Sequence, residues 1–378
     1  MAQQTNALTT ALTNIGQENI TGDKRKLYLK LFSGEMFKGF QHNAIARDLV
    51  MKRTLKNGKS LQFIYTGRTK AEYHTPGNAI LGNSDGAPPV AEKTVTIDDL
   101  LISSAFVYDL DETLSHYDLR SEISRKIGYA LAEKYDRLIF RAIAKGARIA
   151  SPVAATGFEE PGGTQIAVGT TEADAYSSPK LIEAFYNAAA ALDEKGVSSD
   201  GRCAVLNPRQ YYELIQAAGT SGLINRDATA PALQGGNGIV EIAGIHIYKS
   251  MNIPFFGNYG VKYGGAVNAP GNTGDFIGSD TALEAGDETG MNNFYGAQSA
   301  FDTTCGLIFQ REAAAVVEAV GPQVQVTSGD VSVIYQGDVI LGRLAMGADF
   351  LNPAACVELY AGASAPIPFG ATYPANAS

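Results

Sequence analysis

The 378-residue chain has 18% charged residues, 41 glycines and a net charge of −9. This balance argues against general affinity for a phosphate backbone and suits a turn-rich chain of two or three domains. Cys203, Cys305 and Cys356 are odd in number and form no C-x-x-C, which disfavours a disulfide framework or a structural zinc site and fits a reducing compartment.

The first 20 residues have no basic start followed by an apolar run, and no stretch approaches the roughly 20 apolar residues that cross a bilayer, so neither a secretion signal nor a membrane span is expected. The net charge hides an asymmetry. Residues 23–70 hold 12 Lys or Arg against Asp23, Glu35 and Asp48, whereas residues 71–378 carry −17. A basic amino-terminal fifth on an acidic body can grip nucleic acid or lie across the acidic body of a second copy. The second reading is favoured, because dense Arg clusters with interleaved aromatics are missing.

Residues 1–21 are polar and have no core to join. Lys24 to Phe40 alternates charge with Leu27, Leu29, Leu31, Phe32, Phe37 and Phe40, an arm that needs a surface to lie on. From Lys59 to Tyr65, Leu61, Phe63 and Tyr65 face one way and Ser60 and Gln62 the other; Lys93 to Asp98 repeats the pattern with Val95 and Ile97. Asp98-Asp99 breaks the period as a bulge would. Between the limbs, His74 to Ala91 carries Pro76, Gly77, Gly82, Gly86, Pro88 and Pro89, too long for a tight turn. A two-stranded hairpin is marginal alone in water. Its support is therefore another copy of the protein or, as the alternative, its own body.

The next stretch predicts a long helix, the spine. Asp109, Asp111 and Glu112 crowd its start and Arg141, Lys145 and Arg148 its end, as the helix dipole favours. Asp109 with Glu112 resembles a capping box. Ile123, Ile127, Leu131, Tyr135, Leu138 and Ala142 form one apolar stripe, with Glu122–Lys126 and Glu133–Arg137 pairs on the wetter side. From Asp111 to Arg148 the rod would span roughly 57 Å, with a possible second start at Asp118. Ser151 to Ser178 reads as an irregular connection. Pro179 opens a helix carrying Leu181, Ile182, Phe185, Ala188, Ala189 and Leu192, and Gly196 closes it. Cys203 to Leu206 reads as a buried strand, Asn207-Pro208 as the start of another helix, and Ile239 to Tyr248 as a strand turning at Gly244. Residues 255–299 are Gly/Asn-rich. Strands return at Gly306–Phe309, Ala313–Val320, Val324–Thr327, Val331–Leu341 and Ala355–Tyr360, before an Ala-Gly-Pro-rich tail.

Residues suited to chemistry are scattered. Asp109, Asp111 and Glu112 are explained by their place at a helix start without acid–base work. His42, His74, His116 and His246 show no metal spacing, and Gly235 to Gly238 lacks the Lys-Ser/Thr of a phosphate loop. No nucleophile elbow or Cys–His constellation occurs. No enzymatic activity, cofactor or metal is expected.

Taken in order, arm, hairpin, spine and α/β unit resemble the major capsid proteins of tailed bacteriophages, nearest to the coat proteins of short-tailed podoviruses (autographiviruses, including marine cyanophages). The residues that carry the resemblance are Gly58-Lys-Ser60, Gly67-Arg-Thr69, Tyr73, Pro76-Gly77, Lys93-Thr-Val-Thr-Ile-Asp98 and His116-Tyr-Asp-Leu-Arg-Ser-Glu122. Weaker matches are Asn207 to Tyr212, Ile242 to Ile245 before Ile253-Pro254, and Leu344 to Gly347 before Asn352-Pro353.

The resemblance implies an α+β fold of Hong Kong 97 type, divided into an amino-terminal arm (1–50), an extended hairpin loop (51–108), a peripheral domain (109–178 and 301–361), an axial domain (179–300) and a tail (362–378). It implies pentamers and hexamers closing into an icosahedral shell around double-stranded DNA, a virion protein assembled in the host cytoplasm with a scaffolding protein and a portal. A bacterial encapsulin-type compartment shares the fold, and a soluble α/β enzyme is the distant alternative. In one branch of the fold a Lys and an Asn cross-link; Lys70 has no evident partner motif, and no such bond is expected. The expected contact residues between copies are Lys52, Arg53, Lys56, Lys59, Arg68 and Tyr73 on one side and Asp109, Asp111 and Glu112 on the other.

Overall fold

A computed structural model of the chain describes residues 45–66, 73–77, 90–97, 100–108, 119–151, 160–221, 241–250, 252–253, 304–326 and 336–362. Among these described residues, two sheets and a long helix organise the chain. The first sheet has four strands in the order β1 (Met51–Thr54), β10 (Ala314–Val326), β11 (Gly337–Phe350) and β4 (Leu101–Tyr108). The second has six, in the order β5 (Thr164–Gly169), β12 (Cys356–Ala361), β9 (Thr304–Gln310), β6 (Arg202–Leu206), β8 (Ile245–Lys249) and β7 (Glu241–Ile242). A separate pair, β2 (Ser60–Thr66) and β3 (Val90–Thr96), forms the hairpin limbs. The helices are α1 (Ala46–Leu49), α2 (Leu119–Ala147), α3 (Ser178–Glu194) and α4 (Pro208–Ser221).

The predicted spine is α2. Its 29 residues reach about 44 Å; residues 109–118, the expected acidic start, lie outside the described residues. The stripe expected to seek a core does so, with Ile127, Leu131, Tyr135, Leu138 and Ala142 all buried. The wetter face is confined to the first half of the helix. Arg125, Lys126, Tyr129 and Ala130 are exposed, but every residue from Tyr135 to Ala144 is buried, because α2 touches β4, β10 and β11 of one sheet and β9 and β12 of the other.

The deep end of α2 is fixed by charge. Arg148, just past the helix, meets Glu358 on β12 through Nε (2.8 Å) and Nη2 (2.5 Å), and both side chains are shut off from solvent. Thr304 donates to the same carboxylate at 2.5 Å and Gln165 at 3.0 Å. A buried ion pair holds only when its remaining hydrogen-bonding capacity is filled in this way.

Helix α3 begins beside Ser177 and carries Pro179 in its first turn. Leu181, Ala184, Phe185, Ala188 and Leu192 face the core. It ends in a Schellman motif. Gly196 (φ 73°) donates to Asp193 O and Val197 to Leu192 O, so the residue that must turn left-handed is the one without a Cβ. Asn207 opens α4, its side chain accepting from Arg209 N while Gln210 Oε1 accepts from Asn207 N. The strand expected over Ile239–Tyr248 is a tight hairpin, β7–β8, turning at Ala243-Gly244 with φ 52° and 75°.

Two expectations are corrected. Ser151 to Ser178 is not all irregular. Thr164–Gly169 is β5, paired parallel to β12, and Glu172–Tyr176 is a 3-10 turn. The two strands expected at Ala313–Val320 and Val324–Thr327 are one strand, β10, whose register on β11 shifts between Glu318 and Gln323, where Gly321-Pro322 interrupts the ladder.

Candidate assembly interface

The two limbs expected from the alternation pair antiparallel, Leu61 opposite Val95 and Phe63 opposite Lys93. Their period-2 pattern is realised: Leu61, Phe63 and Tyr65 are half-buried, while Ser60, Gln62, Ile64 and Thr66 are exposed. The inward face does find support, and at the root that support is the chain's own body. Val95 and Ile97 are buried with Val317 of β10 and Ala345 of β11, and Leu55, Leu61, Phe63, Val320 and Leu351 pack around them. Lys93 pairs with Asp349 at 2.7 Å and lies 3.6 Å from the centre of the Phe350 ring. The limb runs so close to β11 that a Cβ on Gly347 would sit 1.9 Å from Thr96 O. Burying Val95 and Ile97 stabilises the root by roughly 3–6 kcal/mol.

The outward face of the hairpin and the described stretch 73–77 are open to solvent. Ile64 is 76% exposed, Val90 64%, and Tyr73 fully so. The hairpin is thus a lever whose root is fixed on the chain's own sheet and whose outward face is open to solvent. Val317 and Ala345, which support the root, lie 220 residues beyond Ile97 and 250 beyond Val95 respectively. A support supplied only by another copy therefore does not hold for the root.

The segment entering this region is clamped by two buried carboxylates. Asp136 of α2 accepts from Ile45 N and Ala46 N, each at 3.2 Å, and from the Asn252 side chain at 3.3 Å, so it caps α1. Burial pushes its pKa up to about 7, against the lowering effect of the Ile45, Asn252 and Ala46 hydrogen bonds. On β10, Glu318 receives Lys52 Nζ at 2.7 Å, Arg47 Nε at 3.2 Å and the Tyr135 hydroxyl at 2.8 Å. Burial raises this carboxyl too, but Lys52, Tyr135 and Arg47 prevail and hold it below the usual carboxylate range. β1 then joins β10 in parallel.

The candidate contact residues thus fall into three groups. Lys52 is engaged by Glu318 of its own chain and is only one-third exposed. Arg53, Lys56 and Lys59 are exposed on β1 and the turn after it, and Tyr73 is exposed on the hairpin. Arg68, Asp109, Asp111 and Glu112 lie outside the described residues. Asp136, Glu318 and Lys93 were missed by sequence reasoning. A lone carboxylate within an apolar run, as Glu318 is among Ala313–Val320, was the available signal, since such a group stays buried only with partners.

Among the described residues no cluster of three or more His, Cys, Asp or Glu is placed to hold a metal, and no helix is long and apolar enough to cross a membrane. His74 is exposed on the hairpin, and His246 pairs with Glu241 across β7–β8. The three cysteines are buried and free.

Comparison with known proteins gives this arrangement its context. Residues 62–360 match the family model described as Gp10A-like major capsid protein. The major capsid protein of Escherichia phage T7 is 31% identical over 214 residues, covering 54% of this chain and 61% of the relative. That of Enterobacteria phage T3 is 34% identical over 134 residues, covering 35% and 38%. The alignments thus span less than two thirds of these curated relatives. The capsid structure of cyanophage P-SCSP1u superposes with a TM-score of 0.65 at 31% identity, covering 85% of this chain and 89% of that one. The mature capsid of bacteriophage PhiM1 shares the fold alone, with a TM-score of 0.60 at 13% identity over 84% and 87% of the two chains. The α+β architecture expected from the resemblance, that of tailed-phage capsids, is the one the chain adopts, and the chain belongs to the Gp10A-like family of major capsid proteins.

Proposed function

We propose that the protein is a structural shell subunit that self-assembles through pentamers and hexamers into an icosahedral head around double-stranded phage DNA, without catalysis. The observation that carries this reading beyond family membership is the hairpin, anchored at its root and exposing Ile64 and Val90 on its outward face and Tyr73 beyond the paired strands. Apolar residues carried outward on a rigid base gain by meeting another surface.

The basic residues Arg53, Lys56, Lys59 and Arg68, with Lys52 behind them, lie over the acidic segment Asp109, Asp111 and Glu112 of a neighbouring subunit. Many such modest contacts add up through ring closure while leaving misplaced subunits free to depart. The acidic body suits a container whose wall does not trap its DNA. Residues 1–50 act as the arm, 51–108 as the extended loop, 109–178 with 301–361 as the peripheral domain, 179–300 as the axial domain and 362–378 as the tail. The six-stranded sheet is the seam, since β5, β9 and β12 come from the peripheral part and β6, β7 and β8 from the axial part. Assembly takes place in the host cytoplasm, with a scaffolding protein and a portal as partners.

Expression with and without a scaffold, followed by negative-stain electron microscopy, tests the reading. Closed particles are expected, and an Arg68→Glu chain should fold yet form none. A chain that stays monomeric or dimeric across a range of salt would refute the reading. Particles that hold an enzyme instead of DNA would point to the encapsulin-type compartment.

A further inference from the structure

At the β8 end of the six-stranded sheet, Lys249 projects beside the first turns of α4. Its Nζ donates to the Tyr212 hydroxyl at 2.9 Å and lies 5.0 Å from the Tyr212 ring centre and 5.5 Å from that of Tyr211. The two rings meet edge to face at 78°, and the ammonium lies beside both. One turn back, the Arg209 guanidinium lies 5.1 Å from the Tyr176 ring centre. Tyr212 is 45% and Tyr248 39% exposed. Among the described residues no carboxylate pairs with Lys249. The Tyr212 hydrogen bond holds its pKa up, so it stays charged at neutral pH.

A charged, aromatic-flanked ammonium at the surface is suited to receive an anion. The chain offers one of matching character. Between Lys262 and Arg311 there is no Lys or Arg, and the acids are Asp275, Asp280, Glu284, Asp287, Glu288 and Asp302. Building on the self-assembly reading above, we infer that the Lys249–Tyr212 patch is a docking site for the acidic segment 275–288 of a second copy of this chain. The patch fits a carboxylate-bearing peptide better than a nucleic-acid strand. It presents one ammonium rather than a run of cations, and its tyrosine rings stand edge to face beside that ammonium instead of forming a stacking platform.

Carbodiimide, which joins an amine to a carboxylate already in contact, tests this on the unmodified protein. Particles assembled from equal parts of 14N- and 15N-labelled chains are treated, digested and analysed by mass spectrometry. Peptide pairs joining Lys249 to residues 275–288 with one light and one heavy partner are expected, and Lys249→Met should abolish them while the patch tyrosines remain. Pairs of a single isotope only would place the contact within one chain and overturn the inference. So would intact particles with no Lys249 link, which would leave the assembly reading standing; a chain that forms no particles would remove both. Lys249 shielded from acetylation in DNA-filled but not in empty particles would assign the patch to nucleic acid instead.

Discussion

Gly347→Ala is the sharpest perturbation of the hairpin lever. The added Cβ would lie 1.9 Å from Thr96 O and 3.0 Å from Ile97 Cα. To restore ordinary contact near 3.5 Å, the β3 end must retreat by roughly 1.5 Å, or β11 must bend within a four-stranded sheet. Retreat is the cheaper response, because β3 pairs only with β2 among the described strands. It draws Val95 and Ile97 off Val317 and Ala345. Overpacking of this kind costs about 1–3 kcal/mol, and complete detachment would forfeit the roughly 3–6 kcal/mol of root burial. Hydrogen exchange on the unassembled chain reads the effect directly. Amides of β2 and β3 should exchange about ten-fold to a hundred-fold faster, while α2 and the six-stranded sheet keep their protection. Particle yield should fall in parallel. Unchanged protection in β2 and β3, or a uniform loss across the whole chain, would refute the idea that the root is a separable joint.

Other sites lead to further expectations. Glu358→Gln leaves the Arg148 guanidinium buried without its counter-charge and should cost about 3–5 kcal/mol in chemical denaturation, whereas pairing Arg148→Met with Glu358→Leu should recover most of the loss; equal losses for the single and double variants would contradict this. Glu318→Ala removes the shared acceptor of Lys52, Arg47 and Tyr135, so limited proteolysis should cut near residues 47–53 several-fold faster with little change elsewhere. The Asp136 pKa is raised, so its contribution to stability is present at low pH and is lost as pH rises from about 4 through about 7. The unassembled chain should therefore be roughly 2–3 kcal/mol more stable at pH 5 than at pH 8 from this group. Asp136→Asn should flatten that slope in urea titrations at the two pH values, and an unaltered slope would count against the assignment.

How much of this was legible depended on the range of the interaction. The alternation of the hairpin limbs, the α2 core stripe and the caps at Gly196 and Asn207 are local and leave a period or a turn residue in the sequence. The partners of those elements leave no such trace. Nothing near Val95 announces Val317 or Ala345, so the root's support on its own body was beyond periodicity. The burial of both faces of α2 after Tyr135 was concealed in the same way, because Arg137, Arg141 and Lys145 read as a solvated face until a second sheet is placed over them. Arg148 read as one of the cations that suit a helix end. It is instead half of a buried pair whose other half lies 210 positions later.

The division between root and tip bears on how such a subunit can assemble. A loop loose along its whole length would lose the entropy of every residue on docking, at about 1–2 kcal/mol each for the backbone, and modest contacts could not offset that. Anchoring Val95, Ile97 and Lys93 on the subunit's own sheet meets the ordering cost for the root during folding. Contact between copies then has only the remaining surface to engage, with the root already in place. Weak, reversible contacts are sufficient for that smaller task, and reversibility lets a closed shell correct its errors. By the same reasoning, strengthening the tip should be less useful than strengthening the root. A more apolar residue at Thr66 should trap misassembled particles, and a hairpin-root substitution that improves packing at Leu55 or Val320 should raise the yield of closed ones. Particle counts by electron microscopy decide between these outcomes, and equal effects from tip and root would show that the lever has no functional joint.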